Sequence, residues 1–177
     1  MELVRPAVVY KDSFIEALRE YQHDNDFTHR SLAYKKLSVE DVEAAFESFV
    51  ETELSYANGE NLPDGYVPCT ELWLVDNDVF LGRASIRHRL TEKLTRIGGH
   101  IGYDIRPSKR HLGYGNMILK LVLEKAQGLG LSRVLLTSDI RNVGSRKIIE
   151  KNGGVLENQI PNPEMGHDAL RFWIEIK

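Results

Sequence analysis

The spacing of apolar residues changes along the chain, and each change marks a new kind of element. The opening LVRPAVVY is short and mixed, with Pro6 placed where an edge strand at residues 3–5 would exit. Phe14, Leu18 and Tyr21 then recur at helical spacing behind Ser13-x-x-Glu16, a capping-box pattern. This helix is expected to end near Asp24, Asn25 and Asp26, and a polar connection runs to Lys36. A second box, Ser38-x-x-Asp41, opens the apolar stripe Val42, Ala45, Phe46, Phe49 and Val50. Asn58-Gly59 is its predicted stop, and residues 62–65 form a turn.

From Glu71 the period shortens. Residues 71–76 and 79–89 read as an antiparallel hairpin around Asn77-Asp78, and residues 94–99 lead to a third strand at 100–106. Three strands with short links make a meander. Residues 114–128 are apolar almost all round, so they predict a helix buried against a sheet and a second element, stopped by Gly128 and Gly130. Residues 132–137 form a short apolar strand. The strand–helix–strand order implies a parallel crossover from 100–106 to 132–137. Asn142 caps a helix over 143–152, Gly153-Gly154 ends it, and strands at 155–158 and 168–175 finish the chain around a turn-rich loop at 161–167.

Composition narrows the field. With 177 residues, 42% hydrophobic and 28% charged, the chain suits one globular domain over 1–177 with a sizeable core, and no repeat or linker divides it. A net charge of −3 argues against nucleic-acid partners. The single Cys69 excludes an internal disulfide, suggests a reducing compartment and reads as a plain loop or core thiol. Glu2 and Arg5 interrupt any secretory pattern, and no apolar run approaches the ~20 residues of a membrane span. A cytoplasmic protein without a membrane partner is expected. His23, Asp24, Asp26 and His29 look metal-like but match no ligand spacing; a polar helix end is the simpler reading, and no metal is expected.

The candidate chemistry lies in residues 101–116, IGYDIRPSKRHLGYGN: a strand, a break at Pro107, a basic loop and the start of a helix. A glycine loop feeding a helix N-terminus supplies N–H donors and a positive dipole end, which suits phosphate. Gly113 and Gly115 are also plain turn glycines on a blander view, and Lys109 and Arg110 plain solvated charges. A dinucleotide fingerprint is not met, because Ile118 stands where its third glycine belongs.

The element order resembles the GNAT superfamily of acyl-CoA-dependent N-acetyltransferases, most strongly over 72–154. Two blocks carry the resemblance: Arg110-x-x-Gly113-x-Gly115, and Asn142, Ser145 and Ile148-Ile149-Glu150-Lys151-Asn152-Gly153 about thirty residues on. The resemblance implies an α/β (α+β) fold. Its mixed, mostly antiparallel sheet would have about seven strands, with a central splayed parallel pair and about four helices. It implies acetyl-CoA as acyl donor, no metal, and direct attack by a primary amine of a small molecule, peptide or protein; a homodimer would be in keeping. The cofactor residues it implies are Tyr103, Asp104 and Ile105 beside the pantetheine arm, then Lys109, Arg110, His111, Leu112, Gly113, Tyr114, Gly115 and Asn116 around the pyrophosphate, with Asn142 and Ser145 near the arm. The amides of residues 110–115 would be the phosphate donors. Asn142 also serves as a helix cap on its own account.

Amine acetylation needs a neutral amine, donors for the tetrahedral oxyanion and a proton for the thiolate. The resemblance places His100 where many members carry a glutamate base; a strand histidine with a satisfied hydrogen bond is the alternative. Backbone N–H groups near Ile105 would serve the oxyanion. The family's tyrosine acid falls at Ile149, which cannot donate; either Tyr103, Tyr114 or a water held by Ser138 or Ser145 replaces it, or thiolate release needs no dedicated acid. His100 and Tyr103 are therefore the catalytic candidates. The gap at Ile149 also raises a catalytically silent acyl-CoA-binding module as the alternative function. Acceptor specificity is expected from residues 14–58 and 161–168. Asp139 would serve a turn or the substrate opening. Glu51, Glu53, Glu60 and Glu71 would be surface charge or an attraction for a cationic amine.

Overall fold

A computed structural model describes residues 1–25, 34, 36–164 and 166–176. The chain runs β1 (Glu2–Val4), α1 (Lys11–His23), α2 (Val39–Ala44), α3 (Phe46–Ser55), β2 (Cys69–Asp76), β3 (Val79–Arg87), α4 (Glu92–Arg96), β4 (Ile101–Ile105), α5 (Tyr114–Gly128), β5 (Arg133–Asp139), α6 (Val143–Lys151), β6 (Val155–Ile160) and β7 (Ala169–Glu175). Two hydrogen-bonded sheets result, ordered β1-β2-β3-β4 and β5-β7-β6, with every ladder antiparallel. The seven strands fit the expected α/β fold.

β4 and β5 are joined through α5 but share no ladder. Their one bridge links Gly99 to Leu136 and is antiparallel in type. The expected parallel pairing of 100–106 with 132–137 is therefore corrected: among the described residues no parallel ladder forms, and the two strands part beyond this antiparallel bridge. Each strand is left as the edge of its own sheet on the side facing the other.

Strand alternation sends neighbouring residues of β2 to opposite faces. Leu72 and Leu74 join Ile86, Ile101 and Ile105 in a cluster closed by Ile118, Leu119, Val122 and Ala126 of α5. Trp73, Val75 and Phe80 face the other way, into Phe14, Tyr21, Tyr34 and Phe46. Phe14 stacks on Trp73 at 4.7 Å between ring centroids. The four-stranded sheet is thus covered on both faces.

Three expectations are corrected. Ser13 does not cap α1: a 3-10 turn at Val8–Tyr10 leads straight into the helix, and Ser13 Oγ instead accepts from the Phe80 amide at 3.0 Å. The stripe after Ser38 is two helices, because Ala45 leaves helical geometry at φ −122°, ψ 38°. Ser38 itself caps as expected, accepting from the Asp41 amide at 3.1 Å. Residues 94–99 are not simple lead-in chain, since Thr91 caps the short helix α4 there. The described residues therefore hold six α-helices rather than about four.

Candidate functional site

At its first residues the β4–β5 gap is stitched shut. The His100 amide donates to the Leu135 carbonyl at 2.7 Å, and the Leu135 amide donates to His100 Nδ1 at 2.9 Å. Gly98 N–H reaches Thr137 Oγ1 at 2.9 Å. Arg87 Nη1 donates to the carbonyls of Gly98 and Gly99, at 3.2 and 3.0 Å. Gly99 has φ 67°, and a Cβ there would lie 2.2 Å from the Leu135 carbonyl oxygen, so only glycine allows this approach.

Beyond that point the gap opens. The Arg87 amide donates to His100 O, and the Arg106 amide to Leu81 O. Even-numbered residues of β4 therefore bond β3, and the odd ones turn their backbone groups toward β5. Ile105 has both groups occupied: its N–H by Asp104 Oδ1 at 2.8 Å and its carbonyl by Arg110 Nε at 3.2 Å. The expectation of an oxyanion donor at Ile105 is not met, and Tyr103 becomes the residue whose backbone faces the gap.

A cavity of about 310 Å³ lies where β4, the following loop, and the first turns of α5 and α6 converge. Tyr103, Asp104, Ile105, Arg110, His111, Gly113, Gly115, Asn116, Asn142 and Ser145, among those that the resemblance assigns to the coenzyme, line it. Gly113 is the N-cap of α5 at φ 88°, and no side chain caps that helix. His111 is also at φ 62°. The N-terminus of α5, without a side-chain cap, borders the cavity through Gly113 and Gly115, and a helix start of this kind suits an anion. The donor set starts after Arg110, whose own amide is bonded to the Pro107 carbonyl at 3.2 Å.

Several residues sit differently from expectation. The Arg110 guanidinium is committed to Asp24 at 2.8 Å and Asp104 at 3.6 Å, so it ties the loop to the end of α1 instead of presenting a free charge. Gly115 is small for its packing: a Cβ there would meet Ile148 Cδ1 at 2.7 Å. Gly113 has open space around it and is needed for its positive φ. Lys109 lies in a separate cleft with Asp12, Glu16, Arg106 and Ser108. Leu112 is 63% exposed, and Tyr114 packs against the core. Gly144, Lys147 and Ile148 line the cavity but were missed. Helical spacing within α6 would have found them, since residues 144, 147 and 148 stand at i, i+3 and i+4 on one face.

The α6 end is well ordered. Asn142 Oδ1 accepts from the Ser145 amide at 2.8 Å, and Asn142 also lines the cavity, so cap and wall are one residue. Asn152 Nδ2 donates to Asn116 Oδ1 at 3.0 Å, joining α6 to α5. The Tyr103 hydroxyl stands 3.2 Å from Ser145 Oγ. Burial, with the nearby Asp104 charge, pushes the Tyr103 phenol up to about 12 against the opposing Ser145 hydrogen bond, so it keeps its proton at neutral pH. Ile149, by contrast, is 1% exposed and belongs to the core.

His100 is not among the cavity-lining residues. Its Nδ1 lone pair is occupied by the Leu135 amide, so in the neutral ring Nε2 carries the hydrogen. Burial, and secondly Arg87, hold its pKa below the ordinary histidine value. This is the geometry of the satisfied strand histidine. Asp139 accepts three hydrogen bonds from Arg141, at 2.9, 3.0 and 2.9 Å, and takes the turn role.

On the opposite face, Glu51 and Glu60 are exposed, whereas Glu53 and Glu71 are buried and are not surface charge. Glu71 pairs with Arg83 at 2.5 Å. Burial, and then the Glu71 charge, raise the Glu53 carboxyl to about 8. Burial also pushes the Cys69 thiol up to about 12, which makes it a poor nucleophile. Among the described residues no group of three or more His, Cys, Asp or Glu could hold a metal ion; Asp26 and His29 lie outside them. No described helix is long and apolar enough to cross a membrane.

Comparison with known proteins gives these features a family. No curated protein sequence matches the chain. Solved structures do. A GNAT-family acetyltransferase from Streptococcus pneumoniae superposes with a TM-score of 0.64 at 22% identity, covering 99% of this chain and 100% of the other. A Salmonella typhimurium acetyltransferase described as modifying the N-terminal serine of ribosomal protein L7/L12 has a TM-score of 0.69 at 14% identity, covering 99% and 94%. Mycobacterium smegmatis RimJ, solved with a coenzyme A disulfide, has a TM-score of 0.70 at 16% identity, covering 98% and 80%. At such identities the likeness is one of fold. The acetyltransferase (GNAT) domain profile matches residues 4–155. That match spans β4, the glycine loop and the capped start of α6, and by it the chain belongs to the GNAT acetyltransferase family.

Proposed function

We propose that the protein transfers the acetyl group of acetyl-CoA to a primary amine. The observation that carries this reading is the cavity where the uncapped α5 N-terminus, the Asn142-capped α6 N-terminus and the free edge of β4 converge. The fit to the coenzyme is good on three counts. The loop amides after Arg110 suit a pyrophosphate. The backbone of Tyr103, facing the gap, suits the amide-bearing pantetheine arm. Exposed Lys147 at the cavity wall adds a positive charge that the sequence reading did not assign.

Acetyl-CoA supplies the activated thioester. The amine nitrogen attacks its carbonyl carbon, the C–N bond forms, and the C–S bond breaks as the thiolate leaves. On this reading the Tyr103 N–H, in place of Ile105, holds the oxyanion. The Tyr103 hydroxyl keeps its proton too tightly to give it up readily. Its contribution is a hydrogen bond to the departing sulfur, and solvent supplies the proton. Since His100 Nδ1 is already engaged, the ammonium proton of the acceptor also passes to solvent. The missing tyrosine at Ile149 does not favour the silent-module reading, because that position is packed in the core and a phenol reaches the cavity from β4 instead.

The test is a thiol-release assay with acetyl-CoA across amino acids, polyamines, aminoglycosides and peptides with free N-termini. Release stimulated by at least one amine is expected. Coenzyme binding with no stimulation by any of them would instead favour the silent module.

A further inference from the structure

The pinned end of β4 is more ordered than a change of strand direction requires. Two hydrogen bonds join His100, the residue just before β4, to Leu135 of β5: His100 N–H to Leu135 O, and Leu135 N–H to His100 Nδ1. The side chain thus completes what the backbone starts, taking the Leu135 amide that a neighbouring strand would normally accept. Leu135 is fully buried, so without that acceptor its N–H would be left unsatisfied in the interior. Once past this point, β4 and β5 have no ladder between them. We infer that His100 is a positioning residue whose neutral imidazole clasps β5 to β4 and so sets the width of the slot that opens beyond it. The inference rests on the acetyl-CoA reading of that slot.

The clasp works only in one protonation state. Nδ1 accepts the Leu135 hydrogen with its lone pair; a proton on Nδ1 would set two N–H groups against each other and break the bond. The surroundings oppose that proton. From β3, the Arg87 guanidinium lies close enough to disfavour a second positive charge and is itself anchored to the Gly98 and Gly99 carbonyls. From β5 come the Leu135 amide and the Thr137 hydroxyl, which holds Gly98; from β7 comes the Trp173 ring, 6.2 Å from the imidazole between centroids. Of these, only Arg87 is charged. The clasp therefore stays closed through the neutral range and opens as the pH falls below the ordinary histidine range.

Two substitutions separate a clasp from a catalytic base. His100→Ala removes the acceptor. It should raise the KM for acetyl-CoA by about tenfold, the value of one buried hydrogen bond, with kcat changed by less than about threefold. His100→Asn places a carbonyl oxygen near the Nδ1 position that can accept the Leu135 hydrogen but does not titrate. It should restore the KM and remove the acid limb expected in the wild-type kcat/KM for acetyl-CoA. A base would behave otherwise: His100→Asn would lose kcat by about 100-fold with KM unchanged, and that result would overturn the clasp. A wild-type KM and pH profile in His100→Ala would overturn it as well. If His100→Ala fails to fold, the pH profiles of wild type and His100→Asn still decide. Calorimetry beside the kinetics separates the two levels of the argument. Acetyl-CoA binding by wild type that is equally tight in His100→Ala sinks only the clasp, whereas no binding by wild type sinks the reading of the slot and the clasp with it.

Discussion

The two ends of β4 are built alike and behave oppositely. At Gly98–His100, glycines with positive φ bring the chain so close to β5 that amides, a hydroxyl and an imidazole bond across the join. At Ile105–Gly115, residues with positive φ again shape the chain, but there they hold it open around a cavity. Glycine's freedom is used for contact at one end and for vacancy at the other. The lesson is that a splayed site needs a firm hinge as much as an open mouth, and that the two are visible as different neighbours of the same residue type.

Substituting the glycines tests that contrast most sharply. Gly99→Ala adds a Cβ 2.2 Å from the Leu135 carbonyl oxygen at φ 67°. A loss of roughly 3 kcal/mol in urea unfolding is expected; unchanged stability would mean that the pinned end is soft. Next in size, Tyr103→Phe should leave coenzyme affinity intact and lower kcat by roughly 10–100-fold, the worth of one hydrogen bond to a charged atom. An unaltered kcat would remove the phenol from the chemistry. At the open end, Gly113→Ala meets no atom within 4 Å, so only its φ of 88° matters. A stability loss of about 1 kcal/mol is expected, with weaker acetyl-CoA binding as the strained loop shifts. A cost as large as that at Gly99 would erase the distinction between the ends.

A further prediction concerns the far face of the sheet. The Glu53 carboxyl is raised from its ordinary 4.5 to about 8 by burial, and further by Glu71. In that interval the folded protein holds a proton that the unfolded chain has lost. Stability should therefore decline as pH rises from about 5 to about 8 and level off above it. Glu53→Gln should flatten this decline. Parallel curves for variant and wild type would show that Glu53 does not titrate in the core.

What the sequence disclosed follows the same division. α5 was expected over 114–128 and found at Tyr114–Gly128, and the Asn142 cap was legible too, because glycines and caps act on their own few residues. The glycine loop and Asn142 thus located the cavity. Long-range partners were out of reach. Arg110 reads as a phosphate ligand until Asp24, distant in sequence, claims its guanidinium. Gly115 reads as a phosphate glycine until Ile148 packs against it. His100 reads as a base or as a satisfied strand residue, and only the Leu135 amide decides. Ser13 fits a capping box, but the turn preceding it starts the helix earlier. In each case a local pattern was correct about residue type, and a contact from another element set the use.

On the proposed reading, acetyl-CoA occupies the opening between β4 and the N-termini of α5 and α6. Calorimetric titration of the wild-type protein with acetyl-CoA tests it most directly. Saturable one-to-one binding, weakened by Gly113→Ala and by Lys147→Glu, is the predicted result. Absence of binding at millimolar acetyl-CoA, or binding indifferent to both substitutions, would contradict it.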